Sequence, residues 1–90
     1  MKEAVLEFRG INVAHLGMYF EELGAVRKTH SMPLLYETSS WSAEILKEEE
    51  LSFTKIFKVN AVHICFRAET ETALAQLIKN YRYKTTRIGG

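Results

Sequence analysis

The residue types able to do chemistry are few in this chain, and they are scattered. The three histidines, His15, His30 and His63, stand far apart, with no HxH, HExxH or Cys partner at ligand spacing. A metal ion needs several such side chains converging at ligand spacing, so no metal site is expected. The one cysteine, Cys65, sits between Ile64 and Phe66 in an apolar run. There a thiol acts as a small buried hydrophobe with a raised pKa. A nucleophilic role would need His63, two residues along the same strand, or a distant histidine. No G-x-S-x-G, G-x-x-x-x-G-K-[ST] or G-x-G-x-x-G occurs, which removes the usual hydrolase, P-loop and dinucleotide signatures. The acidic runs Glu21-Glu22 and Glu48-Glu49-Glu50 read as a solvated helix face and a charged turn. The residues therefore predict no catalytic group and no cofactor. A pocket between subunits drawing on Arg9, His15 and Glu22 is the remaining enzymatic arrangement.

Three segments are candidates for binding. Lys79, Arg82, Lys84 and Arg87 concentrate positive charge near the C-terminus, with Tyr81 and Tyr83 between them and no acid. Basic residues interleaved with aromatics suit anions, phosphates and stacked bases. The competing reading has Lys79 and Arg82 complementing a helix dipole while Tyr81 packs in the core. It carries more weight, so nucleic acid is not expected as a partner. Gly10-Ile11-Asn12 forms a strand-to-helix corner where a small ligand could lodge. Gly89-Gly90 at the end has no side chains, so it could thread into a narrow enzyme channel.

The elements that position these residues follow from periodicity. Ala4, Leu6 and Phe8 alternate with Glu3, Val5 and Glu7, as in a half-buried strand, and Gly10 ends it. Val13, Leu16, Phe20 and Leu23 then form one helical stripe, with Gly17 allowing close approach, Asn12 as cap and Gly24 closing it. Residues 25–31 are polar and turn-like. Met32 to Glu37 and Trp41 to Leu46 read as strands around Thr38-Ser39-Ser40, with Pro33 at a strand start or an edge. Lys47 to Glu50 reads as a turn, and Leu51 to Phe66 as a bent strand or hairpin whose second half, Val59 to Phe66, is central. Thr70 caps a second helix with Ala73, Leu74, Leu77, Ile78 and Tyr81 inward. Tyr83 to Ile88 is β-prone and predicts a last short strand.

The simplest assembly is one α+β domain over residues 1–90, a ferredoxin-like βαββαβ two-layer sandwich with an extra strand or hairpin in the middle. Val5 and Val62 would then lie on an uncovered sheet face, favouring a homodimer. Ninety residues leave room for one core. Apolar residues make up 47% and charged residues 26%, the balance of a globular chain. Twelve Lys and Arg against eleven Asp and Glu give a net charge of +1, too little to attract nucleic acid or an anionic membrane globally. No apolar stretch reaches membrane-spanning length. A lone cysteine and the absence of an apolar leader after Met1 point to the reducing cytoplasm.

The unit from Phe8-Arg9-Gly10-Ile11 to Tyr19-Phe20-Glu21-Glu22-Leu23-Gly24, with the closing Tyr83-Lys84-Thr85-Thr86-Arg87-Ile88-Gly89-Gly90, resembles the C-terminal domain of proteins related to MoaD, the small subunit of molybdopterin synthase. The resemblance covers nearly the whole chain. It implies a link to molybdenum cofactor assembly, without a family active site that maps onto positions here. Gly89-Gly90 also resembles the tail of ubiquitin-like proteins and sulfur carriers, whose C-terminal carboxylate is activated by adenylation. The β-grasp fold of those carriers opens with a hairpin, whereas this chain passes from a strand directly into a helix. The βαββαβ order with glycine at the first corner is also similar to ACT-like regulatory domains, which bind amino acids between subunits. The expected function is a small non-catalytic binding or interaction domain, with a diglycine-tailed carrier and an ACT-like ligand-binding domain as alternatives.

Overall fold

A computed structural model describes residues 1–89, with side chains described through residue 86. The chain runs β1 (Lys2–Arg9), α1 (Val13–Glu22), β2 (Val26–Arg27), β3 (Leu34–Glu37), β4 (Trp41–Ser52), β5 (Lys58–Ala68) and α2 (Glu71–Gly89). The strands form one sheet in the order β1-β5-β4-β3-β2, antiparallel throughout. Both helices pack on the same face of it, α2 over β1 and β5, α1 over β4, β3 and β2. This is the expected two-layer α+β arrangement, with β5 in the central position predicted for Val59 to Phe66.

The first helix begins where Asn12 Oδ1 accepts the His15 N–H at 2.8 Å, satisfying one of the donors that a helix start leaves over. It ends at Gly24, whose φ of 102° is the left-handed conformation that glycine adopts freely. Gly24 N donates to Glu21 O and Ala25 N to Phe20 O, both at 3.0 Å, the paired closure of a Schellman motif. Thr70 Oγ1 accepts the Ala73 N–H at 3.1 Å and so caps α2.

The core lies between the layers. Leu16, Tyr19 and Phe20 from α1 and Leu74, Leu77 and Tyr81 from α2 meet Phe8, Tyr36, Ala43, Ile45, Val62, Ile64 and Phe66 from the sheet. Each large apolar side chain fully removed from water there contributes roughly 1.5–3 kcal/mol. Tyr81 organises the centre: its ring stacks on Phe20 at 4.1 Å and meets Phe8 and Phe66 edge-on, each at 5.4 Å.

Five expectations are corrected. Tyr83 to Ile88 is not a closing strand; α2 continues through it. The β-branched and aromatic residues there lose to the stripe Leu77, Ile78, Tyr81 and Thr85, which keeps helical spacing and carries buried Thr85 into the core. Without that strand the element order is βαββββα, in place of the βαββαβ order of ferredoxin-like and ACT-like domains. Lys47 to Glu50 is not a turn: these residues pair along β5, Lys47 with His63 through Glu50 with Asn60. Residues 25–31, read as turn alone, include the short edge strand β2.

Val62, finally, faces the helices and is buried, because β5 directs Val62, Ile64 and Phe66 to the core. The uncovered face instead carries Glu3, Val5 and Glu7 from β1 beside His63, Cys65 and Arg67 from β5. A register shift between Ile45 and Lys47 leaves Leu46 without a partner. That extra residue reverses the alternation, so Glu44 before the bulge and Lys47 and Glu49 after it share the uncovered face.

Candidate functional site

The long hairpin of β4 and β5 outruns its neighbours. Pairing of β1 stops at Arg9 with Ala61, and pairing of β3 with β4 covers only Trp41-side residues up to Ile45. The hairpin continues to the Ser52–Lys58 pair. Beyond it, residues 53–57 make a tight end in which Phe53 N donates to Phe57 O at 2.9 Å. Thr54 Oγ1 accepts from Ile56 N at 3.3 Å and Phe57 N at 2.9 Å. At about 3.4 Å per residue, the tip stands on the order of 15 Å beyond the last three-stranded row.

The side chains on this tip are the wrong kind for water. Ile56 is 95% exposed, Phe57 57% and Phe53 54%, and the two phenylalanine rings lie 5.8 Å apart. Single exposed apolar residues are common, whereas a contiguous cluster of large ones marks an interaction site. Lys58 is paired with Glu50 at 3.6 Å. Lys55 makes no ion pair among the described residues. From the sequence, this segment is expected as strand or hairpin and carries no candidate site. The available signal was an apolar run, Leu51 to Phe57, lying outside both helical stripes.

The basic residues of α2 come together in part. Lys79, Arg82 and Lys84 line one groove of about 670 Å³ with Leu23, Asn80 and Tyr83. Lys84 Nζ contacts Glu22 Oε1 at 2.8 Å, and the Arg82 guanidinium lies 6.0 Å from the Phe8 ring centroid. The groove borders the last turns of α2, the negative end of that dipole. The Arg87 side chain and Gly90 lie outside the described residues, and the backbone at Gly89 is helical.

The Gly10-Ile11-Asn12 corner is occupied by the fold's own hydrogen bonds. Gly10, with φ 78°, donates its N–H to Asn60 O at 3.0 Å. Ile11 O accepts from Asn60 Nδ2 at 2.7 Å, and Asn12 caps α1. Of the three residues read as a site between subunits, Arg9 pairs with Glu7 and Glu22 with Lys84, while the His15 N–H is the capped donor of α1.

The uncovered sheet face is a lattice of opposite charges. Arg67 bridges Glu3, at 3.1 Å, and Glu44, at 3.4 Å. His63 Nε2 sits 2.6 Å from Glu49 Oε1 and 4.0 Å from Glu7 Oε2. The hydrogen bond from His63, with Lys47 beside it, holds the Glu49 carboxyl below its ordinary value. Cys65 is buried among these groups, and that burial, opposed in part by the charge of Arg67 and aided by the nearby Glu3 and Glu44 carboxylates, pushes its thiol pKa up. Among the described residues no group of three or more His, Cys, Asp or Glu could hold a metal ion, and no helix is long and apolar enough to cross a membrane.

No curated protein and no solved structure matches the chain. A family model, that of the archaeal MoaD-like protein, matches residues 4–90. The match takes in β1 from Ala4 onward, the corner, both helices, the exposed hairpin and the terminal glycines, and so agrees with the MoaD-related resemblance carried by the Phe8–Gly24 unit and the C-terminal segment. On that match, the chain belongs to the archaeal MoaD-like protein family.

Proposed function

We propose that this domain is a non-catalytic protein-interaction module in molybdenum cofactor or sulfur-carrier assembly, acting in the reducing cytoplasm, and that the β4–β5 hairpin tip anchors it to a partner protein. The observation that carries the reading is the exposure of Phe53, Ile56 and Phe57 together at the end of a strand-paired arm. Aromatic and aliphatic side chains that fill a partner's pocket supply most of the energy of a typical interface. A strand-paired arm presents them with little ordering entropy to lose on binding. The carboxylates of Glu48, Glu49 and Glu50 stand directly behind the tip, which favours a protein pocket over an anionic lipid surface.

The test is titration calorimetry of the full chain against the two proteins that MoaD-type chemistry implies, the large subunit of molybdopterin synthase and the carrier-adenylating enzyme, both from the same host. Binding to one of them should weaken roughly 30-fold or more in the variant Phe53→Ser/Ile56→Ser/Phe57→Ser, the loss expected of a central anchor. Equal binding by the variant, or no binding of either protein, overturns the reading.

A second reading is favoured by the extent of the family match, which runs through Gly89-Gly90. In it the chain is itself a carrier, adenylated at the Gly90 carboxylate and converted to a thiocarboxylate. Because α2 is helical to Gly89, activation would first unwind the last turn, which glycine makes easier. Incubation with the adenylating enzyme, ATP and a sulfur donor should then replace one oxygen by sulfur in the intact mass, and removal of Gly90 should abolish the change. An unchanged mass of the full chain sinks this reading.

A further inference from the structure

The two edges of the sheet are unequal. One ends in β2, only Val26–Arg27, too short to template anything. The other is β1, eight residues whose pairing with β5 runs from Lys2 to Arg9 without a bulge. Natural edge strands are blunted by shortening, bulges, covering or charged side chains; β1 is neither short nor bulged, and its charges, Lys2 and Arg9 against Glu3 and Glu7, are of both signs and so can pair across a two-fold axis.

The outward groups of β1 can be identified. Gly10 N donates to Asn60 O, so the position after Arg9–Ala61 is a hydrogen-bonded pair of the antiparallel ladder. Such pairs alternate. Phe8, Leu6 and Ala4 therefore exchange hydrogen bonds with β5, and Glu3, Val5, Glu7 and Arg9 turn their N–H and C=O groups away from it, toward the free edge.

We infer that β1 pairs with β1 of a second copy of this chain, antiparallel and centred on Leu6, to form a continuous ten-stranded sheet. Charge selects both the occupant and the register. Centred on Leu6, Glu3 faces Arg9 of the second copy and Val5 faces Glu7, each an outward-bonding pair, while Leu6 meets its own copy on the helix side. Centring on Val5 would set Glu3 against Glu7, and centring on Glu7 would set it against itself. Like charges directly opposite are destabilising, and opposite charges stabilise. Val5, 59% exposed on the uncovered face, would gain cross-strand neighbours. The two-fold axis then runs perpendicular to the sheet, which places all four helices on one side and the two hairpin tips at opposite ends. Pairing through β1 is independent of what those tips bind.

The experiment is sedimentation equilibrium of the full 10.4 kDa chain and of three variants, with amide exchange by NMR as a second readout. Wild type should sediment as two chains. Glu3→Arg and Arg9→Glu, each creating two like-charge pairs per dimer, should each raise the dissociation constant roughly tenfold or more. The double variant Glu3→Arg/Arg9→Glu should restore it, which misfolding could not do. The Val5 and Glu7 amides should gain protection as concentration rises. A monomeric wild type overturns the inference. So does a dimer indifferent to both single substitutions, or one in which the Val5 and Glu7 amides exchange equally fast at all concentrations.

Discussion

The Tyr81 hydroxyl donates to the Leu16 carbonyl at 2.7 Å, tying the middle of α2 to the middle of α1 across the centre of the core. Tyr81 is fully buried, and its burial, with Tyr36 and Tyr19 adding to the effect, holds the phenol far above its ordinary pKa. It therefore stays a neutral donor. Tyr81→Phe should cost about 1–2 kcal/mol by losing a buried hydrogen bond. Tyr81→Ala should cost about 3–5 kcal/mol by opening a cavity beside Phe20 and Phe66. Urea denaturation of the three chains measures both.

Gly17 is the point at which α1 approaches β3. A Cβ built there would lie 3.0 Å from Tyr36 Cζ and closer still to its hydroxyl, and Tyr36 is buried and cannot swing aside. Gly17→Ala should therefore destabilise by about 1–3 kcal/mol, the usual cost of overpacking, despite alanine's better helix propensity. Combining it with Tyr36→Phe, which removes the clashing oxygen, should recover part of the loss in a double-mutant cycle.

Glu49 titrates below the ordinary carboxylate value because of its hydrogen bond from His63 and the charge of Lys47. A depressed folded pKa means that its contribution to stability is present above the unfolded value, about 4.3, and is lost as pH falls through the lower folded value. Carboxyl chemical shifts followed by NMR should show the Glu49 midpoint below those of unpaired glutamates. His63→Gln should raise it, and an unchanged midpoint would contradict the role of His63.

Cys65 is 3% exposed and its pKa is raised chiefly by burial. Since the thiolate is the reactive form, iodoacetamide at pH 8 should modify the native protein at least about tenfold more slowly than the urea-unfolded chain. Mass spectrometry over time follows the reaction, and equal rates would show that the uncovered face opens readily.

Much of the architecture was written locally. The Asn12 cap, the stripe Val13, Leu16, Phe20 and Leu23, the Gly24 closure, the Thr70 cap and the central run Val59 to Phe66 each depend on neighbours a few residues away. Periodicity and cap chemistry report such features directly, which is why these elements stand where the residues place them. Only the tertiary structure decided the rest. Lys47 to Glu50 is strand because β5 supplies a ladder and alternating partners such as His63 and Lys58, none of them near in sequence. Tyr83 to Thr86 is helix because Thr85 continues a stripe into a core built by other segments. The one-residue bulge at Leu46 set which carboxylates share a face with His63 and Arg67. The apolar tip was equally hidden: Phe53, Ile56 and Phe57 look like core residues until the sheet shows that the hairpin carries them past every element that could cover them. Local patterns determine what a segment prefers, but exposure is a property of what the remainder of the chain leaves uncovered.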